Sequence, residues 1–377
     1  MTHVAIMIPG LNRIGGAEEQ VTQLARGLAK RGLRVTVIAL SGDGGSVATI
    51  LRESGVEFMS LRMLHGLADP HGWLVFHNWL RREKPEILHA HLPHATWMAR
   101  WSRLGSPIRG LIDTLHSSST GTLGRRAGYR VSNWLTDKIT AVSKPVAQTH
   151  QSAGMVSRGK ILVLANGVDI QHWHADPQVR TDLRAVHGLH DEFLWLAAGR
   201  LEPVKDYPTL LNALALTPEN THLLIAGAGR QEEELRRLAI YLNIGTRVRF
   251  LGFEPDVRRW MQAADGFVLS SRWEGLPMAL LEAAACELPI VSTRVSGADE
   301  IVREASTGFL TPVGDAEEFR EAMSKMMRRS PSQRAKMGAL GRQVVVDRFS
   351  LDAVLDRWEA LHLELLRANP FPKRWAK

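Results

Sequence analysis

The chain has 377 residues, of which 45% are apolar and 23% charged, and it contains one cysteine. This length exceeds that of one ordinary α/β domain and favours two. The single cysteine excludes an internal disulfide framework and suits a reducing compartment. No apolar run reaches the about 18 residues of a transmembrane helix, and the first residues lack the charged segment of a secretory signal. We therefore expect a cytoplasmic protein.

The net charge of +8 is unevenly distributed along the chain. Residues 1–168 contain 20 basic and 10 acidic residues, whereas the remainder contains 27 and 29. This asymmetry indicates an anionic partner for the first half, either a membrane surface or a nucleic acid, although a generally solvated basic surface explains it equally well. The sequence lacks an aromatic-basic recognition motif, so we expect no nucleic-acid partner.

Strand and helix patterns alternate through the first half of the chain. A Gly-rich loop, Gly10–Gly16, follows the first strand, and 17–30 has apolar residues at helical spacing. Near-continuous apolar strands that alternate with helices predict a parallel sheet covered on both faces. The predicted strands are Val4–Ile8, Val35–Leu40, Ile87–Ala90, Ile108–Asp113, Lys138–Val142 and Ile161–Leu164.

The second half repeats this alternation, and we place the boundary between two domains within Asn166–Trp173. Ligands bind at the carboxyl ends of parallel strands, so two such domains predict a ligand cleft between them. Beyond Ser350 the chain reads as a helix with one apolar face: Leu351, Val354, Leu355, Trp358, Leu361 and Leu365. The predicted strands of the second half are Phe193–Ala198, Thr221–Ala226, Val248–Leu251, Gly266–Ser270 and Ile290–Thr293, and the helices are Tyr207–Ala215, Gln231–Leu242 and one from Pro277.

The segment from Ser270 to Glu282 carries the strongest chemical signal. A strand ends at Ser270, and Pro277 stands where the first helical residue is expected. The free N–H groups at that helix start, those of Leu276, Met278 and Ala279, suit a phosphate or an array of sugar hydroxyls.

Two carboxylates flank this helix start, Glu274 in the loop and Glu282 more than one turn inside. Each can accept hydrogen bonds from a pair of sugar hydroxyls. The alternative for Glu274 is a charge partner of the helix N-terminus, and that for Glu282 is a surface carboxylate. Glu282 lies in an apolar, alanine-rich helix, however, where a buried charge needs a partner.

The sequence resembles the retaining family 4 glycosyltransferases of GT-B fold across nearly its whole length. The two most specific segments are the Glu-x7-Glu block of Glu274 and Glu282 and the Gly-Arg-Leu…Lys-Asp block. The segments that carry the resemblance are Gly15–Glu18, His89–His91, Asn166–Asp169, Gly199–Asp206, Ile225–Gly229 and Glu274–Glu282.

This resemblance implies an α/β architecture of two Rossmann-like, doubly wound domains that face a central cleft. Residues 1–168 would form the acceptor-binding domain and 169–350 the nucleotide-sugar-binding domain. The helix at 351–377 would cross back to pack on the N-terminal domain.

The resemblance also implies the roles of individual residues. Arg200 and Lys205 would hold the donor's pyrophosphate, and two cations stabilise the charge that grows on a diphosphate leaving group. No Asp-x-Asp triplet offers carboxylates to a catalytic Mg²⁺ or Mn²⁺, so we expect no metal and no other cofactor. The implied catalytic set is Glu274, His116, Arg200 and Lys205. The implied donor-binding set is Gly15, Gly16, Arg200, Lys205, Gly227, Leu251, Glu274, Gly275, Leu276, Pro277, Met278 and Glu282.

Two groups of histidines are candidates for functional roles, His116 alone and His89 with His91 and His94. By resemblance, His116 touches the donor sugar near the reacting carbon, and the alternative is a half-buried histidine at a strand end. His89 and His91 are two apart on a strand and face the same side. Together with His94 they resemble the ligands of a metal site, but no carboxylate or cysteine accompanies them, so we do not expect a metal there. Cys286, within the alanine-rich helix, is expected to be a small core residue.

Two stretches that combine basic and aromatic residues indicate where the chain could contact an anionic membrane surface. In the first, 123–134, Arg125, Arg126 and Arg130 alternate with Leu123, Tyr129 and Trp134. The second is Trp73–Arg82, an apolar run that ends in two arginines. The alternative is that Trp73, Phe76 and Leu80 fill the core at helical spacing and leave the arginines solvated.

We therefore expect a hexosyltransferase that moves a hexose-type sugar from a UDP-sugar, rather than a GDP-sugar, to a glycan acceptor. The family resemblance implies retention of configuration by front-face transfer, and it favours a lipid-linked acceptor in bacterial surface polysaccharide synthesis at the inner face of the plasma membrane. One alternative is a nucleotide-sugar epimerase of the same fold, and another is a non-catalytic nucleotide-sugar-binding protein.

Overall fold

The computed structural model describes residues 1–11, 15–189 and 192–369. They form two compact units, the first made of Met1–Gly167 and the chain from Leu351 onward, and the second of Val168–Ser350. Val168 pairs with Ser350 as an isolated parallel bridge, and its N–H donates to the carbonyl of Phe349 at 2.8 Å. Val168 therefore begins the second unit, one residue earlier than the sequence pattern suggested.

A parallel sheet of seven strands forms the centre of the first unit, in the order β3-β2-β1-β4-β5-β6-β7. Its central strands are buried along their whole length, as the near-continuous apolar runs predicted, although β4 and β5 also bury polar side chains such as His89, His91 and Asp113. The edge strand β3 was not predicted, because its four residues are polar or only half-buried. The strands are β1 (His3–Ile8), β2 (Arg34–Ala39), β3 (Glu57–Ser60), β4 (Ile87–His91), β5 (Gly110–Leu115), β6 (Lys138–Ala141) and β7 (Ile161–Val163).

Six helices connect these strands. Several begin at recognisable caps, as where the Asp69 carboxylate accepts from the N–H groups of His71 and Gly72 and Pro70 takes the first helical position. The helices are α1 (Gly16–Lys30), α2 (Gly45–Glu53), α3 (Pro70–Glu83), α4 (Pro93–Ser102), α5 (Leu123–Ser132) and α6 (Lys144–Ser152).

The second unit contains a parallel sheet of six strands in the order β10-β9-β8-β11-β12-β13. This is the doubly wound order in which the chain starts at the centre, builds one half and then returns to build the other. The short outer strand β13 was not predicted. The strands are β8 (Phe193–Ala198), β9 (Thr221–Ala226), β10 (Val248–Gly252), β11 (Gly266–Leu269), β12 (Ile290–Thr293) and β13 (Gly308–Thr311).

Among the described residues, the second unit contains eight α-helices. The helix in the Glu-x7-Glu block begins at Met278, and Pro277 is its N-cap rather than its first residue. The helices are α7 (Pro177–Val186), α8 (Tyr207–Ala215), α9 (Glu232–Tyr241), α10 (Val257–Ala263), α11 (Met278–Ala285), α12 (Ala298–Ile301), α13 (Ala316–Met327) and α14 (Pro331–Phe349).

The last helix, α15 (Leu351–Ala368), returns to the first unit and packs on its core. Its buried apolar face is the one that the sequence predicted, and Arg31 on α1 makes ion pairs with Asp356 at 2.6 Å and Glu359 at 3.3 Å. A Cβ on Gly27 of α1 would lie 2.6 Å from Leu355, so the glycine allows the two helices to approach closely. Among the described residues, no helix is long and apolar enough to cross a membrane.

Each sheet has one place where the strand order reverses direction. It lies between β1 and β4 in the first unit and between β8 and β11 in the second. In open parallel sheets, ligands bind beyond the carboxyl ends of the strands at this switch point. The residues that follow these strands are therefore the ones to examine for a functional site.

Candidate active site

The loops that follow β8 and β9 are held together by backbone hydrogen bonds. The N–H of Gly199 donates to Ala226 at 2.9 Å, and that of Leu201 donates to Ala228 at 3.1 Å. Gly227 has φ of +147°, and a Cβ there would lie 2.0 Å from the carbonyl oxygen of Gly199. Only glycine fits this close approach, so Gly227 fixes the loop that carries Arg200 against the end of β9.

Lys205 and Glu274 meet at the switch point of the second unit. The Lys205 ammonium donates to Glu274 Oε1 at 2.5 Å, and the side chains are only 18% and 16% exposed. The Ser271 hydroxyl donates to the same oxygen at 2.8 Å, while Ser270 donates to the carbonyl of Lys205 at 2.8 Å. The loops after β8 and β11 thus bring together a cation and a carboxylate that are 69 positions apart in sequence.

A second layer of side chains supports this pair. The buried Tyr207 hydroxyl donates to the carbonyl of Gly199 at 3.1 Å, and burial together with the nearby Glu274 charge raises the pKa of Tyr207. Asp206 adopts a left-handed backbone, accepts from Thr209 at 2.9 Å and pairs with Arg272 at 3.2 Å. Sequence reasoning missed Tyr207, Asp206 and Ser271 as supporting residues, although Asp206 follows Lys205 and Ser271 precedes the Glu274 loop.

Arg200 takes a different position from Lys205. Its side chain is exposed on the loop after β8, and within the described residues its guanidinium makes no ion pair. The structure therefore joins Lys205 to Glu274 directly and leaves Arg200 as an exposed cation on the same loop.

The start of α11 completes the strand-end surface of the second unit. No side chain caps this helix, so the first N–H groups after Pro277 lack an intrahelical acceptor. Gly297, with φ of +79°, lies against Gly275, because a Cβ there would come within 3.0 Å of the Gly275 carbonyl oxygen. The Thr293 hydroxyl donates to the carbonyl of Ser271 at 2.6 Å, so β12 also supports the Glu274 loop.

Two other predicted donor-binding residues lie in the same unit. Glu282 is half-buried on α11, and burial with the Glu282 charge raises the pKa of the Cys286 thiol to about 12. Cys286 itself is buried among apolar neighbours, as expected of a small core residue. Leu251 is half-buried near the end of β10, whose Gly252 carbonyl accepts from Gly227 at 2.7 Å.

The first unit places three histidines near the ends of β4 and β5. Nδ1 of His91 is 2.8 Å from Nε2 of His116, and the His89 and His91 rings are 4.1 Å apart. Burial lowers the pKa of His116 to about 4, so its imidazole is neutral near pH 7. His94 is exposed on α4, and no group of three or more metal-ligating side chains in the described ranges is arranged to hold a metal.

The Gly-rich loop after β1 is described only in part, since residues 12–14 lie outside the described residues. Gly15 is the N-cap of α1 and Gly16 its first residue.

The two stretches considered for membrane contact differ in the structure. In α3, Phe76 and Leu80 are fully buried, so Trp73–Arg82 packs its apolar face into the core. In α5 and the turn after it, by contrast, Leu123, Val131 and Trp134 are 64% to 80% exposed.

Tyr129 was wrongly grouped with the surface aromatics of this stretch. It is buried under the guanidinium of Arg100, which lies 4.9 Å from its ring centroid, and it belongs to the core. Arg126 and Arg130 are exposed and Arg125 is half-buried.

Two Rossmann-like units with parallel sheets are the architecture of the GT-B class. The structure is similar to that of Anabaena HepE in complex with UDP, with a TM-score of 0.85 and 21% identity over 97% of this chain and 100% of that one. It is also similar to WaaG, a glycosyltransferase involved in lipopolysaccharide biosynthesis, with a TM-score of 0.73 and 19% identity over 95% of this chain and 99% of that one.

Sequence comparison identifies the family. Residues 179–344 match the glycosyl transferases group 1, and residues 14–172 match glycosyltransferase family 4. LpsE of Rhizobium meliloti (strain 1021), a lipopolysaccharide core biosynthesis glycosyltransferase, is 30% identical over 361 residues, which cover 94% of this chain and 97% of the relative. A galactosyltransferase of Escherichia coli that acts on a diphosphoundecaprenol-linked sugar is 26% identical over 69% of this chain and 71% of its own length. The chain belongs to the family 4 glycosyltransferases of GT-B fold.

Proposed function

We propose that this glycosyltransferase moves a hexose-type sugar from a UDP-sugar to a lipid-linked glycan, with retention of configuration and without a metal. The observation that carries the proposal is the Lys205–Glu274 pair at the switch point of the second unit. That edge of a parallel sheet is where a nucleotide-sugar is expected to bind.

The role assigned to each residue depends on where charge develops on the donor during transfer. When the bond between the anomeric carbon and the phosphate oxygen breaks, negative charge grows on the diphosphate, and Lys205 and Arg200 stabilise it. Glu274 and Glu282 accept hydrogen bonds from hydroxyls of the transferred sugar, and the first N–H groups of α11 provide further donors. We assign His116 to the donor sugar, as a neutral hydrogen-bonding group.

Front-face transfer explains retention with these groups. The departing phosphate oxygen takes the proton of the acceptor hydroxyl while that hydroxyl attacks the same face of the sugar. No side-chain nucleophile is then needed, in contrast to hydrolases that retain configuration through a carboxylate. The anomeric configuration of the product, read by NMR, tests this step, and an inverted product would contradict it.

The preference for a uridine donor draws support from the relatives. The Escherichia coli relative is named as a UDP-Gal enzyme, and HepE has been crystallised with UDP and with UDP-glucose. Other relatives are named GDP-mannose-dependent, including one of Corynebacterium glutamicum that is 31% identical over 62% of this chain. The donor base therefore needs a direct measurement.

A thermal-shift screen with UDP, GDP, ADP and their sugars makes that measurement. A ligand at a hundred times its Kd stabilises the folded state by about 2.7 kcal/mol. We expect the largest shift with UDP or a UDP-sugar, and a much smaller one in Lys205→Ala. A larger shift with GDP would contradict the uridine preference, and no shift with any nucleotide would contradict the site. Donor turnover without an acceptor would instead favour the epimerase alternative.

We also propose that the exposed face of α5 docks on an anionic membrane, where a lipid-linked acceptor resides. This α5 face consists of Leu123, Arg126, Arg130, Val131 and Trp134, which recur at helical spacing. Its apolar members are exposed, and its arginines match the charge of anionic headgroups. Each basic residue adds about 1 kcal/mol near such a surface, so the attachment would be reversible.

Sedimentation with liposomes tests this docking. We expect binding to vesicles that contain anionic lipid, a decrease at high salt, and loss of binding in an Arg125/Arg126/Arg130→Glu variant. An Arg81/Arg82→Glu variant on α3 is the matched control, because that helix buries its apolar face. Equal binding to neutral and anionic vesicles, or binding by the α5 variant that equals wild type, would refute the proposal.

A further inference from the structure

A row of three histidines, two buried and one half-buried, leads from the centre of the first sheet to its carboxyl edge. His89 and His91, both on β4, are fully buried, and His116 follows β5. The rings of His91 and His116 are 5.1 Å apart, and they share the 2.8 Å contact between Nδ1 and Nε2. The position of the proton in this contact decides which nitrogen His116 can offer to a ligand.

The threonines beside the row indicate how its protons are ordered. The Thr140 hydroxyl donates to the carbonyl of Asp113 at 3.3 Å, so its oxygen is available to accept from Thr114 at 2.7 Å. Thr114 in turn accepts from Nε2 of His89 at 2.6 Å. This chain puts the proton of His89 on Nε2 and leaves its buried Nδ1, which has no partner within the described residues, as a bare nitrogen.

The same reasoning applies to His91. Its Nε2 is buried and has no hydrogen-bond partner in the part of the chain that the structure describes. A buried N–H without an acceptor is rarer than an acceptor without a donor. The proton of His91 therefore belongs on Nδ1, from which it donates to Nε2 of His116.

We propose that His91 is a positioning residue that holds His116 in the tautomer with its proton on Nδ1, so that His116 presents an N–H donor to a ligand oxygen. Among the described residues, Nδ1 of His116 makes no hydrogen bond. The inference rests on the proposed function only for the identity of that oxygen, which would belong to the donor sugar.

Burial keeps both rings neutral, which the arrangement requires. It lowers the pKa of His91 well below its usual range, and that of His116 to about 4. A neutral imidazole has one N–H and one bare nitrogen. Because Nε2 of His116 accepts a hydrogen bond, its proton must be on Nδ1. Without a partner at Nε2, His116 could exchange between its two tautomers and lose the orientation of its donor.

Long-range ¹H–¹⁵N correlation spectra of the full chain at pH 7.5 test the tautomer directly. The His116 signals are assigned by their loss in His116→Gln. We expect the Nδ1–H pattern in the wild type and a shift towards Nε2–H in His91→Leu. His91→Asn should restore the wild-type pattern, because its amide nitrogen can occupy the place of Nδ1. An Nε2–H pattern in the wild type, or an unchanged pattern in His91→Leu, would overturn the proposal.

Transfer kinetics separate this inference from the proposed function. We expect His91→Leu to lower kcat about tenfold, the loss that corresponds to one net hydrogen bond, with little change in the donor KM and recovery in His91→Asn. His150→Asn is the control, since this buried histidine on α6 bonds only to a backbone carbonyl of its own helix among the described contacts. If His116→Gln leaves transfer unchanged, the role of His116 in the proposed function fails, whereas the spectra still decide whether His91 sets its tautomer.

Discussion

At the scale of single residues, the Lys205–Glu274 contact is the feature on which the proposed donor site depends. A cation at a strand end attracts a diphosphate, and a carboxylate that shares it keeps the cation in one orientation. The Ser271 hydroxyl donates to the same Glu274 oxygen, so two donors fix this carboxylate. The short contact between half-buried groups indicates a preorganised site rather than a surface ion pair, which would contribute little.

Removing either Lys205 or Glu282, two charged residues assigned to the donor site, should reduce transfer strongly. We expect Lys205→Ala and Glu282→Ala each to lower the rate at least about a hundredfold, the scale for loss of a transition-state charge partner. The measurement is the release of nucleoside diphosphate in the presence of acceptor, with circular dichroism as the check on folding. Lys336→Ala, an exposed position on α14, is the control. Near-wild-type rates in both variants would show that the site is assigned incorrectly.

At the scale of elements, α15 connects the end of the chain to the core of the first unit. Its apolar face buries Val354, Leu355, Trp358, Leu361 and Leu365, and each such side chain stabilises the fold by about 1.5–3 kcal/mol. The same helix buries His362, whose ring nitrogens have no partner within the described residues. Burial lowers the pKa of His362 to about 4.

This histidine should make stability depend on pH. Between pH 6.5 and about 4 the unfolded chain binds a proton at His362 and the folded chain does not, so stability decreases as the pH falls. We expect His362→Leu to be at least as stable as wild type at pH 7 and to gain about 1 kcal/mol more at pH 5.5. Thermal unfolding at the two pH values measures this difference.

The control for this prediction is His71→Gln, because His71 is exposed on α3 and should leave the pH dependence unchanged. An identical pH dependence in wild type and His362→Leu would mean that His362 is not held neutral in the folded protein.

At the scale of the whole molecule, the basic residues are concentrated in the first half of the chain, whereas the second unit is nearly neutral. The excess of basic residues lies in the first half of the sequence, which contains the α5 face that we propose for contact with anionic lipid. The second unit has a nearly balanced charge, and the proposed donor site uses individual cations, Arg200 and Lys205, at one edge of its sheet. A diffuse charge suits attraction to a surface, whereas localised charges suit a defined ligand.

The use of side-chain cations at the donor site predicts catalysis without a divalent metal. We expect unchanged transfer in excess EDTA, because Arg200 and Lys205 provide the positive charge that Mg²⁺ or Mn²⁺ supplies elsewhere. The measurement compares initial rates with EDTA alone and after adding either ion. Loss of activity that an added ion restores would contradict this expectation.

The central strands, several helices, among them α1, α8, α9, α11 and α15, and the family were predictable from the sequence, because their signals are local. A strand buried on both faces is near-continuously apolar, and β1, β8 and β11 show this directly. The Glu-x7-Glu and Gly-Arg-Leu…Lys-Asp blocks are likewise read from neighbouring positions. The edge strand β3 was missed because its residues are exposed or only half-buried. The outer strand β13 was missed although most of it is buried, since its four residues, Gly-Phe-Leu-Thr, form too short an apolar run to indicate a strand.

The tertiary structure alone decided which side chains meet. The sequence placed Lys205 and Glu274 in one donor site but did not predict their contact, which depends on β8 and β11 being neighbours in the sheet. Tyr129 looked like a surface aromatic until Arg100 was found packed on its ring, while Leu123, Val131 and Trp134 stayed exposed. Similarly, His91 and His116 meet because β4 and β5 pair in register. Composition and periodicity report what each segment buries, whereas contacts between distant segments depend on strand order and register, which no single segment encodes.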